Sequence, residues 1–291
     1  MADRVGDAFH ITDPALYLAN AEPLIVPYGS NGHPMPGTPD ASGRLRVGVD
    51  LGTAYTVLAV LDEQGGVIAG EYAFAQVVRD GLVVDYIGAV DLLRELRKHV
   101  EARIGRELTH AASGFPPGVP RAEVRATANV VEAAGMRCEM LVDEPTAANN
   151  VLGLRDGAIV DVGGGTTGVA VLKNGKVVYT ADEATGGTHF SLVIAGALGI
   201  SFEEAEALKK DPVQQQRLFP IIRPVMEKVG VIVDRHLRGT KVDSITLVGG
   251  TTIFPGMAGV VQEVTGIPTH VPEHPLFVTP LGIALSDTQE L

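Results

Sequence analysis

The sequence has a single cysteine, no excess of basic residues and no long apolar run, and each absence excludes a class of protein. Cys138 has no partner for an internal disulfide, and the eight histidines lack the spacing of a zinc site. The formal net charge of −12 argues against a general nucleic-acid binder. The N-terminus lacks a signal peptide's apolar core, and no segment is long enough to span a membrane. We therefore expect a cytoplasmic protein.

The composition and one central stretch predict an α/β protein that binds an anion. Apolar residues make up 45% of the 291 residues, a proportion typical of folds with many buried strands. In residues 159–171, an apolar strand ends near Asp161 and is followed by three glycines, two threonines and a second apolar strand. Glycines at a hairpin turn let backbone N–H groups approach an anion, and a carboxylate can hold a divalent cation beside it. Alone, an ordinary flexible turn explains this stretch equally well.

A second stretch with the same order of residues favours the functional interpretation. In residues 46–60, a strand containing Asp50 is followed by Gly52, Thr53 and a second strand. One such pattern recurs by chance, whereas two in one chain indicate a duplicated domain. Two hairpins of this kind would face each other across a cleft and hold the phosphate chain of one nucleotide.

Three further stretches follow in order, at residues 143–150, 247–257 and 279–285. With the two hairpins, they resemble the actin-like ATPase superfamily, which includes actin, the DnaK-type chaperones and the sugar kinases. The resemblance implies a duplicated actin-like (ribonuclease H-like) ATPase fold of the α/β class, with two lobes around a nucleotide cleft. It predicts a first lobe at residues 46–155 and a second at 156–291, whose final helix returns to the first lobe.

The resemblance also implies ATP or ADP with Mg²⁺ as ligands. Asp50 and Asp161 would hold Mg²⁺, directly or through water, and Glu144 would orient the attacking water, with Asp161 as a second catalytic carboxylate. A purely structural role for Glu144, as an acid at a helix N-terminus, is the alternative. The implied nucleotide-binding residues are Asp50, Gly52, Thr53, Ala54, Tyr55, Gly163, Gly164, Gly165, Thr166, Gly186, Gly187, Glu206, Lys209, Gly249, Gly250, Thr251 and Phe254.

Two of these groups have a chemical rationale of their own. Gly186 and Gly187 enter a predicted helix, whose unpaired N–H groups would bind an anion. Glu206 and Lys209 lie three residues apart on one predicted helix and match the family pair that touches the ribose and base. Alternatively, they form a surface ion pair of little consequence. A longer helix is predicted at residues 225–237.

Residues 1–45 differ from the rest of the chain. Thr12 or Asp13 would cap a short helix that has Pro14 at its first position. The stretch after Glu22 is dense in proline and glycine, so we expect no regular element there. This leader is either a docking peptide for a partner or a tail that packs on its own domain or stays disordered.

Within the superfamily, the leader, the first hairpin and the compact length resemble a family of chaperone-like proteins of bacterial ethanolamine utilisation. That resemblance implies a slowly ATP-hydrolysing assembly or reactivation factor whose partner is an enzyme or shell protein of a bacterial microcompartment. The alternatives are a nucleotide-binding adaptor without turnover, as in pilus assembly, and a self-associating actin-like scaffold.

Two departures from the superfamily limit the expectation. The lysine that DnaK-type chaperones place near the γ-phosphate has no clear counterpart in the first lobe. The printed sequence stops soon after residues 279–285, so no peptide-binding domain of the DnaK kind is expected.

Overall fold

The computed structural model describes residues 11–30, 43–79 and 82–287, with only the backbone for Arg121 and Glu123. The chain divides into two compact units. The first unit contains the chain up to Gly153 and again from Phe277, and the second contains Leu154–Leu276.

The first stretch of the chain contains, in order, α1 (Pro14–Ala21), β1 (Ile25–Pro27), β2 (Arg46–Leu51), β3 (Tyr55–Leu61), β4 (Val67–Phe74), β5 (Val78–Arg79), β6 (Leu82–Val83), α2 (Tyr86–Ile104), β7 (Ala112–Phe115), α3 (Arg121–Ala133), β8 (Leu141–Asp143) and α4 (Glu144–Leu152). The second unit contains β9 (Gly157–Val162), β10 (Thr167–Lys173), β11 (Lys176–Glu183), α5 (Gly187–Leu198), α6 (Phe202–Lys210), α7 (Pro212–Leu237), β12 (Ile245–Val248), α8 (Met257–Thr265) and β13 (Thr269–His270). The helix α9 (Val278–Leu285) completes the first unit.

Both units are built on a sheet of the same topology. The strand order is β1-β4-β3-β2-β7-β8 in the first unit and β11-β10-β9-β12-β13 in the second. In each, an antiparallel meander of three strands is followed by two strands that run parallel to its first strand. The prediction of a duplicated fold with one hairpin in each half is therefore confirmed.

The core of the first unit forms where α2 and α3 pack on the sheet. Asp85 caps α2 by accepting a hydrogen bond from the N–H of Gly88 at 2.9 Å. The apolar residues of α2 recur at helical spacing and are buried against the strands, as the pattern predicts. Those that are buried are Ala89, Val90, Leu93, Leu96 and Val100.

The helices α4 and α9 approach each other and the sheet closely because small residues lie at their contacts. A Cβ at Gly48 of β2 would lie 2.8 Å from the Cα of Ala284. A Cβ at Gly282 would fall on the carbonyl group of Ala147 in α4. Side chains at these two positions would push α9 away from β2 and α4. The two glycines therefore allow α9 to pack closely within the first unit.

The leader contains more regular structure than its composition predicts. The helix α1 has the expected cap, because Asp13 accepts from the N–H of Leu16 at 3.0 Å. The expectation of no regular element after Glu22 is wrong for β1, which pairs in parallel with the edge strand β4. The Tyr17 hydroxyl donates to the carbonyl of Gly65 at 2.9 Å and fixes α1 to the same unit. Residues 31–42, where most of the prolines and glycines lie, are outside the described residues.

The core of the second unit is formed by α5, α7 and α8 against one sheet. The helix α7 is much longer than the predicted 225–237 and contains Pro220 and Pro224. Proline lacks the N–H group and crowds the preceding turn, which disfavours a position inside a helix. Leu218, Ile222 and Met226 are buried on either side of these prolines, and this packing sustains the helix.

Candidate functional site

The glycine-rich turn of the second unit joins β9 to β10 with a tight closure. The N–H of Gly163 donates to the carbonyl of Thr166 at 3.0 Å, so Gly164 and Gly165 form a two-residue loop. Asp161 lies two residues before this closure, opposite Gly168 of β10 and beside Val248 of β12.

The turn of the first unit repeats this geometry. The N–H of Gly52 donates to the carbonyl of Tyr55 at 3.0 Å, which makes Thr53 and Ala54 the two-residue loop. Asp50 again lies two residues before the closure. A Cβ at Gly52 would come within 2.7 Å of the Tyr55 oxygen, so the closure requires glycine. The two motifs therefore form the same local structure, each with one carboxylate at a matched position.

The N-terminus of α5 determines the orientation of the second turn. The N–H groups of Gly187 and Thr188 donate to the carbonyls of Gly163 at 2.9 Å and Gly164 at 2.7 Å. In a trans peptide, the C=O and N–H groups point in opposite directions. The N–H groups of Gly164 and Gly165 therefore point away from α5, side by side. Within the part of the chain that the structure describes, neither of them has an acceptor.

This arrangement corrects the reason for predicting Gly186 and Gly187 as an anion site. The first N–H groups of α5 are used inside the protein, and the N–H of Gly186 donates to His189 Nδ1 at 3.3 Å. A Cβ at Gly186 would lie 2.6 Å from the Gly163 oxygen and 2.8 Å from the Gly164 oxygen. The glycine pair thus allows α5 to approach the turn, and the donors available to an anion are on the turn itself.

In the first unit, the predicted acids lie at one edge of the sheet. β2, β7 and β8 are parallel, and Asp50 near the end of β2 shares this edge with Glu144, which directly follows β8. Glu144 is half-buried and begins α4, whose cap is Asp143, accepting from the N–H of Thr146 at 3.0 Å. The carboxyl ends of parallel strands are a common place for ligand sites in such sheets.

Glu206 and Lys209 form an ion pair that is largely buried, so the alternative of a pair exposed on the surface is wrong. Lys209 Nζ lies 2.6 Å from Glu206 Oε2 and also donates to the Gly187 carbonyl at 3.1 Å and to Ser191 Oγ at 3.0 Å. These contacts use all three of its N–H donors. The Ser191 hydroxyl donates to the same Glu206 oxygen at 2.5 Å, while Lys210 lies 3.2 Å from Oε1. The pair therefore ties α6 to the beginning of α5.

The pair's environment shifts both pKa values. Burial opposes ionisation of Glu206, but Lys209, Ser191 and Lys210 outweigh it, so the pKa of the carboxyl lies below its ordinary value. Burial is also the largest effect on Lys209 and lowers the pKa of its ammonium group, which Glu206 only partly offsets. Ser191 was not predicted as a site residue, because its role depends on a partner in another helix.

The loop after β12 joins the same site. Gly249 has φ 89°, and a Cβ there would meet Asp161 Oδ1 and lie 2.6 Å from the carbonyl of Val162. The Thr251 hydroxyl donates to the Gly163 carbonyl at 2.8 Å, so this loop also supports the turn. Gly250 lies between Gly249 and Thr251 in this loop. The second unit thus brings together Asp161, residues 163–166, Gly186, Gly187, Glu206, Lys209 and residues 249–251.

Phe254 differs from the other predicted contact residues because its side chain is mostly buried. It is 5% exposed, and its ring packs edge-on against Phe190 with 6.3 Å between centroids. The ring therefore packs in the core of the second unit, and its role as a nucleotide-lining residue stays a prediction. Ile253 beside it is 54% exposed and is the apolar side chain that this loop presents at the surface.

Tyr55 has a packing role in addition to its place at the first turn. Its ring contacts Tyr72 and Phe74 edge-on, with centroid separations of 5.8 Å and 5.7 Å. Tyr72 in turn contacts Phe277, just before α9. The described residues contain no group of three or more His, Cys, Asp or Glu side chains placed to hold a metal ion. Mg²⁺ beside a phosphate chain needs only one or two carboxylates, so Asp50 and Asp161 remain suitable candidates.

Comparison with known proteins agrees with this architecture. The family model described as type IV pilus assembly protein PilM matches residues 122–279. The crystal structure of the ethanolamine utilization protein EutJ from Carboxydothermus hydrogenoformans aligns with a TM-score of 0.86 at 44% identity, covering 94% of this chain and 98% of that one. MreB5 of Spiroplasma citri bound to AMPPNP aligns with a TM-score of 0.68 at 20% identity, covering 84% of this chain and 95% of that one. The chain therefore has the actin-like ATPase fold.

A curated relative identifies the family more closely. The ethanolamine utilization protein EutJ of Escherichia coli (strain K12) is 43% identical over 247 residues, which is 84% of this chain and 87% of that protein. The chain belongs to the EutJ family. Among its described residues, no helix is both long and apolar enough to cross a membrane.

Proposed function

We propose that the chain binds ATP or ADP with Mg²⁺ through its two matched turns. The observation that carries this proposal is the repeated closure of Gly52 on Tyr55 and of Gly163 on Thr166, both at 3.0 Å. In the second turn, two adjacent N–H groups point together away from α5, as donors for phosphate oxygens do. MreB5, which shares the fold, has been solved with AMPPNP.

Each predicted acid has a distinct role in this proposal. Asp50 and Asp161 would hold Mg²⁺, directly or through water, because each is the second-last residue of its strand and lies two residues before the glycine that closes the turn. Mg²⁺ neutralises charge on the phosphate oxygens. Glu144 accepts a proton from the attacking water and orients it, with Asp161 as a second carboxylate. Hydrolysis is slow, because no lysine of the first unit matches the one expected near the γ-phosphate.

The contacts of the second unit divide the remaining residues into two groups. Glu206 Oε1 faces the exposed Lys210 and is the carboxylate oxygen that a ribose hydroxyl would reach. Lys209 has all its donors engaged and instead fixes the helices that position Glu206. Gly249, Gly250 and Thr251 provide the backbone that borders the adenosine, while Phe254 supports them from the core.

We place this activity in bacterial ethanolamine utilisation, as the names of the EutJ relatives indicate. In that setting, the chain is a chaperone-like assembly or reactivation factor, located in the cytoplasm at a bacterial microcompartment. Its partner is an enzyme or shell protein of that compartment. The nucleotide binds one of its two states, partner-bound or partner-free, more tightly than the other. Nucleotide binding therefore shifts the equilibrium between them.

Calorimetric titration with Mg·ATP and Mg·ADP, with phosphate release followed in the same samples, tests the proposal. We expect binding by the wild type, loss of binding in Asp161→Ala, and retained binding with lost phosphate release in Glu144→Gln. Asp243→Ala, in an exposed loop of the second unit, is the matched control and should bind like the wild type. A wild type that binds neither nucleotide would refute the proposal.

A nucleotide-binding adaptor or polymer-forming scaffold without turnover is the second candidate. The match of residues 122–279 to the PilM pilus-assembly model favours it. Under this alternative, the titration shows binding, but neither wild type nor Glu144→Gln releases phosphate. Pelleting in the presence of ATP then separates a filament-forming scaffold from an adaptor.

A further inference from the structure

The two sheets differ at one edge, although their topology is the same. In the first unit, the outer strand of the meander, β4, is covered by β1 of the leader. In the second unit, the corresponding strand, β11, pairs only with β10, and no other described strand lies beside it. β11 has eight residues, none of which is fully buried. It therefore presents a long row of backbone donors and acceptors on one side.

The side chains along β11 are unusually apolar for an exposed edge. Val178 is 59% exposed and Tyr179 is 41% exposed, and they lie at the middle of the strand. Val231 of α7, 53% exposed, lies one helical turn before Arg235, which pairs with Glu183 at the end of β11. Apolar side chains thus border the edge, a combination that marks an interaction surface.

The conformation of the strand end is fixed from within the unit. The Tyr179 hydroxyl donates to His236 Nδ1 at 2.8 Å, and His236 Nε2 donates to Glu183 Oε1 at 2.7 Å. Arg235 binds the same carboxylate oxygen. These contacts attach β11 to α7 and hold β11 extended, with the edge that faces away from β10 accessible to a partner. A bulge, in which Val178 is the additional residue between Val177 and Tyr179, lies within the apolar stretch of the strand, and regular pairing with β10 continues from Tyr179 to Glu183.

The order of the charged residues along β11 indicates which partner strand can pair with it. The strand begins with the exposed Lys176 and ends with Asp182 and with Glu183, which is paired with Arg235; the residues between are apolar except Thr180. When two copies of such a strand run antiparallel, the basic end of each lies beside the acidic end of the other, and the apolar centres meet. A parallel arrangement would place like charges together. The edge is therefore complementary to itself.

We propose that β11 is a self-association surface, on which a second copy of this chain pairs antiparallel and joins the two second-unit sheets into one. The contact uses a two-fold axis near the middle of the strand, so the same residues serve both copies. It involves none of the residues assigned to the nucleotide and is independent of the proposed function. Because only a single strand from each copy forms the contact, the buried area is small, and the dimer is weak and depends on concentration.

Sedimentation equilibrium of the full chain without nucleotide, over a wide range of concentration, tests this proposal. We expect the mass to rise from 30.5 kDa towards twice that value. Lys176→Glu places acids beside acids and Val178→Lys places a charge at the apolar centre, so each should weaken the dimer about tenfold or more. Lys98→Glu, the same charge reversal on the exposed surface of the first unit, should leave it unchanged.

Hydrogen exchange locates the contact. The amides of β11 should gain protection as concentration rises, whereas those of α2 should not. A wild type that stays monomeric at every concentration overturns the proposal. So does a dimer that both β11 variants form as well as the wild type, or one whose added protection lies outside β11. Thermal unfolding of each variant verifies that it is folded.

Discussion

The carboxylate of Asp287 accepts a hydrogen bond from the backbone N–H of Val47 at 2.9 Å, which joins the end of α9 to the start of β2. Asp287 is 3% exposed and also lies 3.1 Å from His110 Nε2. The guanidinium of Arg46 donates to the backbone carbonyl of Asp287 at 2.9 Å. The buried side chain of Asp287 thus anchors the end of α9 to β2, the first strand of the meander.

We predict that Asp287→Ala destabilises the protein, because it leaves the buried N–H of Val47 without an acceptor. The expected loss is about 1–3 kcal/mol in the free energy of unfolding, measured by urea denaturation. Asp243→Ala, at an exposed position, should change it by less than about 0.5 kcal/mol. Equal stability of the two variants would contradict the anchoring role.

Gly282→Ala tests the contact between α4 and α9. The added Cβ would fall on the carbonyl of Ala147, so the helices must separate, at a cost of about 1–3 kcal/mol. Gly259→Ala in α8 is the control, since no atom lies within 4 Å of its added Cβ. That variant should be more stable by about 0.5–1 kcal/mol, because alanine favours the helix. Thermal unfolding distinguishes the opposite signs.

The Glu206 carboxylate should contribute stability that depends on pH. Its pKa is lowered in the folded state from an ordinary value of 4.5, so the contribution is complete above that value. It is lost as the pH falls through the lower, folded pKa. Glu206→Gln should therefore cost about 2–4 kcal/mol at neutral pH, by leaving Lys209 unpaired, and progressively less in acid.

Denaturant unfolding at several pH values, from neutral down to below 4.5, measures this difference. Glu203→Gln, an exposed residue on the same helix, should track the wild type throughout. If the difference between wild type and Glu206→Gln stayed constant in acid, the ion pair would not be its source.

Cys138 should be unreactive in the folded protein. Burial is the main cause that raises the pKa of its thiol to about 12, with Glu132 and Asp287 adding to the effect, so almost no thiolate exists near neutral pH. Alkylation by iodoacetamide should be slow in buffer and become rapid in denaturant at the same pH. Because the chain has no other cysteine, mass spectrometry gives the modified fraction directly. Rapid labelling of folded protein would show that the thiol is accessible.

The features predicted from the sequence are those that local patterns determine. The two hairpins, the cap of α1 and the buried side of α2 depend on residues within a few positions of each other. The strand–acid–glycine pattern was repeated, which made the duplicated fold recognisable. The roles of the individual site residues, apart from the corrections above, stay predictions.

What the sequence did not predict depends on distant partners. The strand β1 exists because β4 offers an edge, which composition alone does not reveal. Gly186 and Gly187 looked like an anion site because their N–H groups had no visible acceptor, yet the N–H of Gly187 donates to the Gly163 carbonyl, more than twenty residues earlier, and that of Gly186 donates to His189 Nδ1. The burial of Phe254 follows from its contact with Phe190 in another helix.

The most direct test of the nucleotide site is the ATP affinity of Gly186→Ala compared with Gly196→Ala. Both glycines adjoin or belong to α5, but only a Cβ at Gly186 would strike the carbonyls of Gly163 and Gly164. We predict that Gly186→Ala changes the orientation of the N–H groups of Gly164 and Gly165 and weakens Mg·ATP binding about tenfold or more. Gly196→Ala should bind Mg·ATP like the wild type. Equal affinity of the two folded variants would contradict the claim that α5 aims this turn at phosphate.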